Sequence, residues 1–255
     1  MRYRSALVAW CLFSTLLVGS NSSQATSHGR NGTVLAADPV TRQDELSEIS
    51  IKMKRVQDFL RAQHLAGILL TRVNDFSWMT AGLASNDIVI TSEVGAASLL
   101  IMNDGRKYVI AESGEVSRHV NEDLAGLGYE PKAYDWYQDQ LVPDRKLEII
   151  HEIAQGQPVG TDLPYGDLKM LGAEFAPLRY QLTESEVRKY RWVGRQATKA
   201  VIAVCRQLHT GITERQMEVL ASNELMRRGL QPTVLLMGVD HRVSDYYHHT
   251  PTILS

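Results

Sequence analysis

Cysteine is scarce in this sequence of 255 residues, which contains only Cys11 and Cys205. Cys11 lies inside an apolar segment near the N-terminus that we expect to be cleaved off. Cys205 would then be the single remaining thiol, and a single thiol excludes an intramolecular disulfide. Because Cys205 falls in a helical pattern with no histidine paired to it, we predict a small buried core residue at this position and not a nucleophile.

The sequence also lacks an excess of charge of either sign. It has 27 basic and 29 acidic side chains, which give a formal net charge of -2 at pH 7. A protein without a basic surplus is not expected to bind nucleic acid or an anionic membrane as its main partner. The hydrophobic fraction of 44% and the charged fraction of 22% are those of an ordinary globular protein. The length allows one or two domains.

The apolar segment over residues 6–19 is too short to span a bilayer comfortably. It follows Arg2 and Arg4 and precedes a small-residue site at 23–25. This order is typical of a secretory signal peptide, so we predict a signal over residues 1–25 and a secreted or periplasmic protein. An uncleaved anchor is the alternative. After cleavage we expect no contact with the membrane.

Periodic hydrophobic residues start after a polar, aperiodic stretch over 26–42, which predicts a flexible leader followed by a folded domain over 43–180. Asn103, Asp104 and Gly105 predict a hairpin because these residue types tolerate the positive φ of tight turns. Helices that alternate with short strands predict an α/β fold with a mixed sheet flanked by helices. The spacing predicts helices over 43–64, 74–80, 114–125 and 144–153, and strands over 66–71, 97–102, 107–111, 130–136 and 158–162.

A second unit is predicted over residues 183–255. Thr183 and Glu186 have the spacing of a capping box, and Thr213 and Gln216 repeat it. The first box begins a long helix with one apolar stripe, which Gly211 ends, and the second begins a helix that runs to residue 229. Residues 232–238 predict a strand. Two helices followed by one strand cannot easily bury both of their faces. The unit is therefore either truncated or dependent on another chain, and we favour truncation.

Three stretches of the chain carry a resemblance to a known family. The first is the helix and strand over 53–70, followed by the turn Asn74-Asp-Phe-Ser-Trp78-Met-Thr80-Ala-Gly82. The second is the helix that begins Thr183-Glu-Ser-Glu-Val-Arg-Lys-Tyr-Arg. The third runs from Gly211-Ile-Thr-Glu214 to Tyr247-His-His-Thr-Pro-Thr252. In order and spacing these stretches resemble the creatinase, aminopeptidase P and prolidase family of dinuclear-metal hydrolases, over residues 43–255.

The resemblance implies a creatinase-like N-terminal α/β domain over 43–180 and the incomplete start of an α+β pita-bread metallopeptidase domain over 183–255. The family binds two divalent metal ions, manganese, cobalt or zinc, which activate a bridging water. Its metal ligands are two aspartates, a histidine and two glutamates, and they follow the point where this sequence ends. No metal ligand is therefore expected in this chain, and Asp240 and Asp245 are interpreted as loop residues.

The resemblance also implies one catalytic residue. The family places a histidine just before its metal-binding strands, where a neutral imidazole N–H can stabilise the oxyanion of the transition state. His248 is the candidate for this role, His249 is second and His241 third. His64 and His119 are predicted to face solvent, because they sit on helices among charged residues.

The leading hypothesis is the N-terminal portion of an exported Xaa-Pro aminopeptidase- or prolidase-like metallopeptidase. It would act on peptides with proline at the second position and form a homodimer, with no nucleic-acid partner. Creatinase-like hydrolysis of a C–N bond in a small amidine is an alternative, because a fold does not choose its substrate. A non-catalytic α/β module for binding or dimerisation is another, and a pseudo-enzyme that has lost its ligands is a third.

Overall fold

The structure, a computed structural model, describes residues 39–138, 141 and 144–253. The predicted signal peptide and most of the predicted leader lie outside the described residues. Residues 40–186 form one compact unit and the residues from Val187 onward form another. Among the helices that the structure describes, none is both long and apolar enough to cross a membrane.

A six-stranded mixed sheet forms the centre of the first unit, with the strand order β4-β3-β2-β1-β5-β6. The strands are β1 (Gly67–Arg72), β2 (Val94–Met102), β3 (Lys107–Glu112), β4 (Glu130–Tyr134), β5 (Val159–Thr161) and β6 (Lys169–Met170). The helices are α1 (Arg42–Ala62), α2 (Val73–Met79), α3 (Ser113–Arg118), α4 (Arg145–Ala154) and α5 (Gly172–Phe175). The predicted α/β class with a mixed sheet and flanking helices is confirmed.

The pairing of the strands is both antiparallel and parallel. β1 runs antiparallel to β2 and parallel to β5, and β3 runs parallel to β4. β2 and β3 form the predicted hairpin, in which Gly105 takes a φ of 96°. That φ is open to glycine without strain, which explains the residue at this turn.

Side-chain alternation divides the hydrophobic core between the two faces of the sheet. On β1, Ile68 and Leu70 join the core that α1, α2 and α5 cover, whereas Leu69 faces the opposite core with Ile149 and Ile150 of α4. Strands β2 and β3 alternate in the same way. The sheet is therefore the middle layer of three, which is why its strands read as continuous apolar runs.

One prediction in this unit fails and one strand was not predicted, both for local reasons. His119 was predicted to face solvent, but its side chain is fully buried. A π-helical turn over His119–Asp123 follows α3 and brings the ring within 5.6 Å of the Phe76 ring, between centroids; the wider turn shifts the helix face that the sequence spacing predicts. His64 is exposed, as predicted. The sequence also missed β6, because two residues give no period.

The second unit contains α6 (Glu184–Cys205, beginning just before the boundary), α7 (Glu214–Met226) and the single turn α8 (Arg242–Asp245). The two long helices were predicted. The strand predicted over 232–238 is wrong: among the described residues this segment has no partner strand. One backbone hydrogen bond, from Met237 N to His249 O at 3.0 Å, takes the place of a ladder. An apolar run forms a strand only where another strand pairs with it.

The prediction that Cys205 is buried is also wrong, because the thiol is exposed. The apolar stripe of α6 includes Val193, Ala197 and Ala200, with Val204 packed beside it. Cys205 follows Val204 directly and is therefore about 100° away from the stripe around the helix.

Gly95 allows a close approach between β2 and the loop before it. The buried side chain of Asn86 donates from Nδ2 to Thr71 O at 3.0 Å and to Ala97 O at 2.6 Å. A Cβ on residue 95 would overlap the Asn86 amide. We expect Gly95→Ala to lower the free energy of unfolding by about 1–3 kcal/mol, measured by urea denaturation, because the buried amide must shift.

Gly114→Ala is the control for this substitution, because a Cβ on residue 114 meets no atom within 4 Å. It lies in α3 of the same unit and is expected to keep or slightly raise stability, since alanine favours helix. Equal stability of the Gly95→Ala and Gly114→Ala variants would contradict the packing argument.

Candidate functional site

The N-terminus of α7 organises the second unit. Thr213 Oγ1 accepts from Gln216 N at 3.2 Å, and Gln216 Oε1 accepts from Thr213 N at 2.9 Å. This confirms the predicted capping box, which starts the helix at the next residue. Glu214 is that residue, and its negative charge at a helix N-terminus is favourable.

The Glu214 carboxylate is fully buried and accepts four hydrogen bonds. Oε1 accepts from Val239 N at 3.1 Å and from Arg242 Nε at 2.8 Å. Oε2 accepts from Thr252 N at 2.9 Å and Thr252 Oγ1 at 2.8 Å. Burial alone would raise the pKa of Glu214, but the hydrogen bonds from Thr252, Arg242 and Val239 outweigh it and hold the pKa below its ordinary value.

The segment between these anchors, residues 239–252, is named the histidine loop here because it carries three of the histidines. Further bonds fix its second half: Arg242 donates from Nη2 to Thr250 O at 3.1 Å, and Arg215 N donates to Thr252 O at 2.9 Å. Arg215 Nη2 also donates to Pro251 O at 3.2 Å. The loop is therefore attached to the start of α7 at both ends.

The three candidate histidines differ in their surroundings. His248 and His241 are exposed to solvent. His249 is half-buried, and its Nε2 is buried with no hydrogen-bond partner in the part of the chain that the structure describes. The His249 ring lies on the backbone of Gly238, because a Cβ built there would be 2.8 Å from His249 Cδ2. His248 is therefore an exposed side chain that directly precedes His249, which packs on Gly238.

The residues that the structure describes do not fit the two metal ions that the resemblance implies. Among them, no group of three or more His, Cys, Asp or Glu side chains is placed to hold a metal ion. Asp240 and Asp245 are exposed; Asp240 lies in a turn, in line with its interpretation as a loop residue, whereas Asp245 is the last residue of the single helical turn α8. A dinuclear site needs several converging carboxylate and imidazole donors, and the histidine loop does not provide them.

A buried carboxyl pair lies in the first unit, at the carboxyl ends of β1 and β5. Asp162 accepts from Thr71 N at 2.9 Å and from Arg72 N at 2.8 Å. Asp75 is also buried, and the nearby Asp162 carboxyl contributes to raising its pKa. Arg179 Nε lies 2.9 Å from Asp75 Oδ1, but the two atoms are not aligned for a hydrogen bond, so this contact is purely ionic.

Burial determines the protonation of this carboxyl pair. It raises the pKa of Asp75 to about 6, against the attraction of Arg179. It also raises the pKa of Asp162, against the N–H donors of Thr71 and Arg72. With a pKa of about 6, the Asp75 carboxyl takes up a proton in mildly acidic solution.

A buried lysine forms a second ionic centre in the same unit. Lys52 Nζ lies 2.5 Å from Glu48 Oε1, 2.9 Å from Glu186 Oε1 and 2.9 Å from Trp78 O. Ser185 Oγ donates to the second oxygen of Glu48 at 2.6 Å. Burial opposes the charge of Glu186, but Lys52 outweighs it and lowers the pKa of Glu186. The ammonium is therefore held by two carboxylates, out of contact with water.

The sequence reasoning missed these buried groups. Glu48 and Lys52 have the i, i+4 spacing of a helical ion pair, but such pairs usually lie in solvent. Asp162 directly follows a strand, which is a weak signal. Glu214 was noted only as part of a helix start. Since Asp75, Asp162 and Lys52 are inaccessible to a substrate, the histidine loop is the candidate functional site.

No protein-family model and no curated protein matches the sequence. Solved structures do match the fold. Dipeptidase PepE from Mycobacterium ulcerans matches with a TM-score of 0.60 at 13% identity, over 82% of this chain and 57% of that chain. Xaa-Pro dipeptidase from Bacillus anthracis matches with a TM-score of 0.51 at 18% identity, over 71% and 49%. X-Pro aminopeptidase from Thermotoga maritima matches with a TM-score of 0.50 at 14% identity, over 69% and 49%.

The chain spans about half the length of the peptidases that it matches. The match to the Mycobacterium ulcerans dipeptidase covers more residues than either unit contains, so it includes parts of both. At these identities the similarity establishes the fold. The chain therefore has the fold of these peptidases, as its resemblance to the creatinase, aminopeptidase P and prolidase family predicted.

Proposed function

We propose that this chain is the N-terminal portion of an exported metallopeptidase similar to Xaa-Pro aminopeptidases and prolidases. The observation that carries the proposal is the shared fold with three peptidases, two of which are named for Xaa-Pro substrates. By this likeness the substrate class is a peptide with proline at the second position. The units are then a creatinase-like domain over 43–180 and the start of a pita-bread domain at 183.

The histidine loop is the part of this chain that acts on the substrate. His248 is exposed, so its imidazole is free to reach a substrate carbonyl. A neutral imidazole N–H at that position stabilises negative charge that develops on the carbonyl oxygen, and so lowers the barrier. The hydrogen bonds from Glu214 to both ends of the histidine loop support this role, because a residue that stabilises a transition state must be held in place.

Two divalent metal ions, manganese, cobalt or zinc, supply the activated water in such an enzyme. The described residues lack a donor group for them. Because the chain spans about half the length of the matched peptidases, we place the metal ligands in a longer form of the protein.

Homodimerisation is part of the proposal and is supported by apolar residues at one end of the sheet. This end of the sheet holds the start of β2 and the end of β4. The two meet there because β3 runs antiparallel to β2 and parallel to β4. Large apolar side chains near these strand ends are exposed, namely Ile88, Val89, Ile90, Val94, Trp136 and Tyr137. Exposed apolar residues in such number are typical of an interaction surface.

The test starts from the coding sequence beyond residue 255. The proposal requires two aspartates eleven positions apart in that extension, followed by a histidine and two glutamates. The longer protein, loaded with manganese, is expected to hydrolyse Ala-Pro faster than Ala-Ala. His248→Ala should lower kcat by about 10²–10³-fold, whereas His241→Ala should change it little.

Three results would contradict the proposal: no such ligand set in the longer protein, equal rates on both dipeptides, or peptidase activity in the 255-residue chain alone. Hydrolysis of a small amidine instead of the dipeptide would assign the protein to the creatinase-like alternative. A monomeric, cooperatively folding 255-residue product with no longer form would favour the non-catalytic module.

A further inference from the structure

Glu214 holds two stretches of chain that follow it in the sequence by 25 and 38 residues. One carboxylate oxygen holds Val239 and Arg242, and the other holds Thr252 through both its N–H and its hydroxyl. All four partners are donors, so only a group with two acceptor oxygens satisfies them. A glutamine would direct its own N–H₂ toward at least one of these donors. The requirement at this position is therefore for a carboxylate and not only for a polar side chain.

The bonds at the two ends of the histidine loop determine where His249 lies. Its carbonyl accepts from Met237 N at 3.0 Å, and its ring lies on Gly238. Both contacts are made to the segment just before Val239, which Glu214 holds. The other end of the loop, at Thr252, is only three residues beyond His249. Release of either end of the histidine loop would allow the His249 ring to leave its contact with Gly238.

We propose that Glu214 is the positioning residue of the histidine loop: it holds His249 against Gly238 and thereby fixes the backbone position of the neighbouring His248. The relevance to catalysis rests on the function proposed above. The packing of His249 against Gly238 does not rest on that function, because it follows from the contacts within the chain alone. Glu214 touches neither the substrate nor a reacting atom, and it acts only through the loop.

The seating is measured by acylation of the histidines of the 255-residue chain with diethyl pyrocarbonate, quantified for each residue by tandem mass spectrometry. In the unmodified sequence His248 should react at least about tenfold faster than His249, because the His249 Nε2 is buried. In Glu214→Gln the two rates should come within about threefold of each other, since one anchor of the loop is lost. The rate of His248 itself should change little.

Glu224→Gln is the matched control. Glu224 is another buried carboxylate of α7, and its ion pairs are with Arg227 and Arg228 at the far end of that helix and not with the histidine loop. Its replacement is expected to leave the ratio of the two rates unchanged. Thr252→Val removes one of the four bonds and should give an intermediate ratio, and it replaces Glu214→Gln if that variant does not fold. Equal reactivity of both histidines in the parent chain, or a ratio that no variant changes, would overturn the inference.

Activity in the longer protein separates this inference from the proposed function. There Glu214→Gln should lower kcat by about 10-fold or more with KM nearly unchanged, and Glu214→Asp should recover part of the loss. Suppose that Glu214→Gln changes the ratio of the His248 and His249 acylation rates, but neither the 255-residue chain nor the longer protein has peptidase activity. Glu214 would then still be the positioning residue, and the proposed function would be wrong. A normal kcat in a variant whose His249 is fully reactive would show that the loop position does not matter for catalysis.

Discussion

Replacing Asp75 by asparagine is expected to stabilise the first unit at neutral pH, by about 2–3 kcal/mol at pH 7.5. Burial raises the pKa of Asp75 from 3.8 to about 6, so ionisation of this carboxyl at neutral pH is costly. Asparagine carries no charge, so this cost of a buried charge is absent from the variant. Arg179 loses an ionic partner but is partly exposed, and water replaces that contact.

The sign of the pH dependence follows from the raised pKa. Between the unfolded value of 3.8 and the folded value of about 6, the folded protein binds more protons at this site than the unfolded chain. The contribution of Asp75 to stability is therefore fully present below 3.8 and is lost as the pH rises through 6. The difference between Asp75→Asn and the parent protein should be near zero at pH 4 and should grow to its full value above pH 7.

Urea unfolding at a series of pH values measures this difference, and hydrogen exchange of β1 and β2 peptides assigns it to the first unit. Asp58→Asn is the control, because Asp58 lies on the exposed side of α1 and its pKa is lowered by Lys54 and Arg61. In Asp58→Asn, the contribution of Asp75 to the free energy of unfolding should still decrease as the pH rises. A constant difference between Asp75→Asn and the parent from pH 4 to 8 would show that the pair does not titrate in this range.

The elements that the sequence predicted are those whose signals are local. The hairpin depends on Asn103, Asp104 and Gly105, and it is observed between β2 and β3. The capping boxes at Thr183 and Thr213 depend on residues three positions apart, and both are observed. The apolar period of α1 and the apolar runs of β1 and β3 needed no knowledge of the rest of the chain.

The failures arise where distant residues decide the outcome. The segment over 232–238 has the composition of a strand, but a strand requires a partner that the described residues do not supply. The burial of His119 depends on a π-helical turn, for which a sequence of mixed helix formers has no signal. The role of Glu214 depends on Val239 and Thr252, which the chain brings back to it only after folding. The hydrogen-bonding partners of a buried polar side chain are a tertiary property.

Lys52→Met is expected to produce the largest loss of stability, about 3–5 kcal/mol for the first unit. The ammonium neutralises Glu48 and Glu186, and Lys52 and Glu48 are both 1% exposed at the side chain. Without Lys52, two carboxylates remain in a site that excludes water, and one of them must take up a proton. The loss should therefore be smaller near pH 5 than at pH 7.5, which distinguishes uncompensated charge from lost packing.

Two further variants separate charge from volume at this site. The triple variant Glu48→Gln, Lys52→Met and Glu186→Gln removes every charge and should recover most of the stability, to within about 1–2 kcal/mol of the parent. Lys54→Met removes the neighbouring lysine of α1, whose pair with Asp58 lies in solvent, and it should cost less than about 0.5 kcal/mol. Unfolding curves in urea, with exchange of the α1 and β1 amides, report on the same unit in each case. If Lys52→Met is as stable as Lys54→Met, then water reaches the lysine site and the ion cluster is not a determinant of this fold.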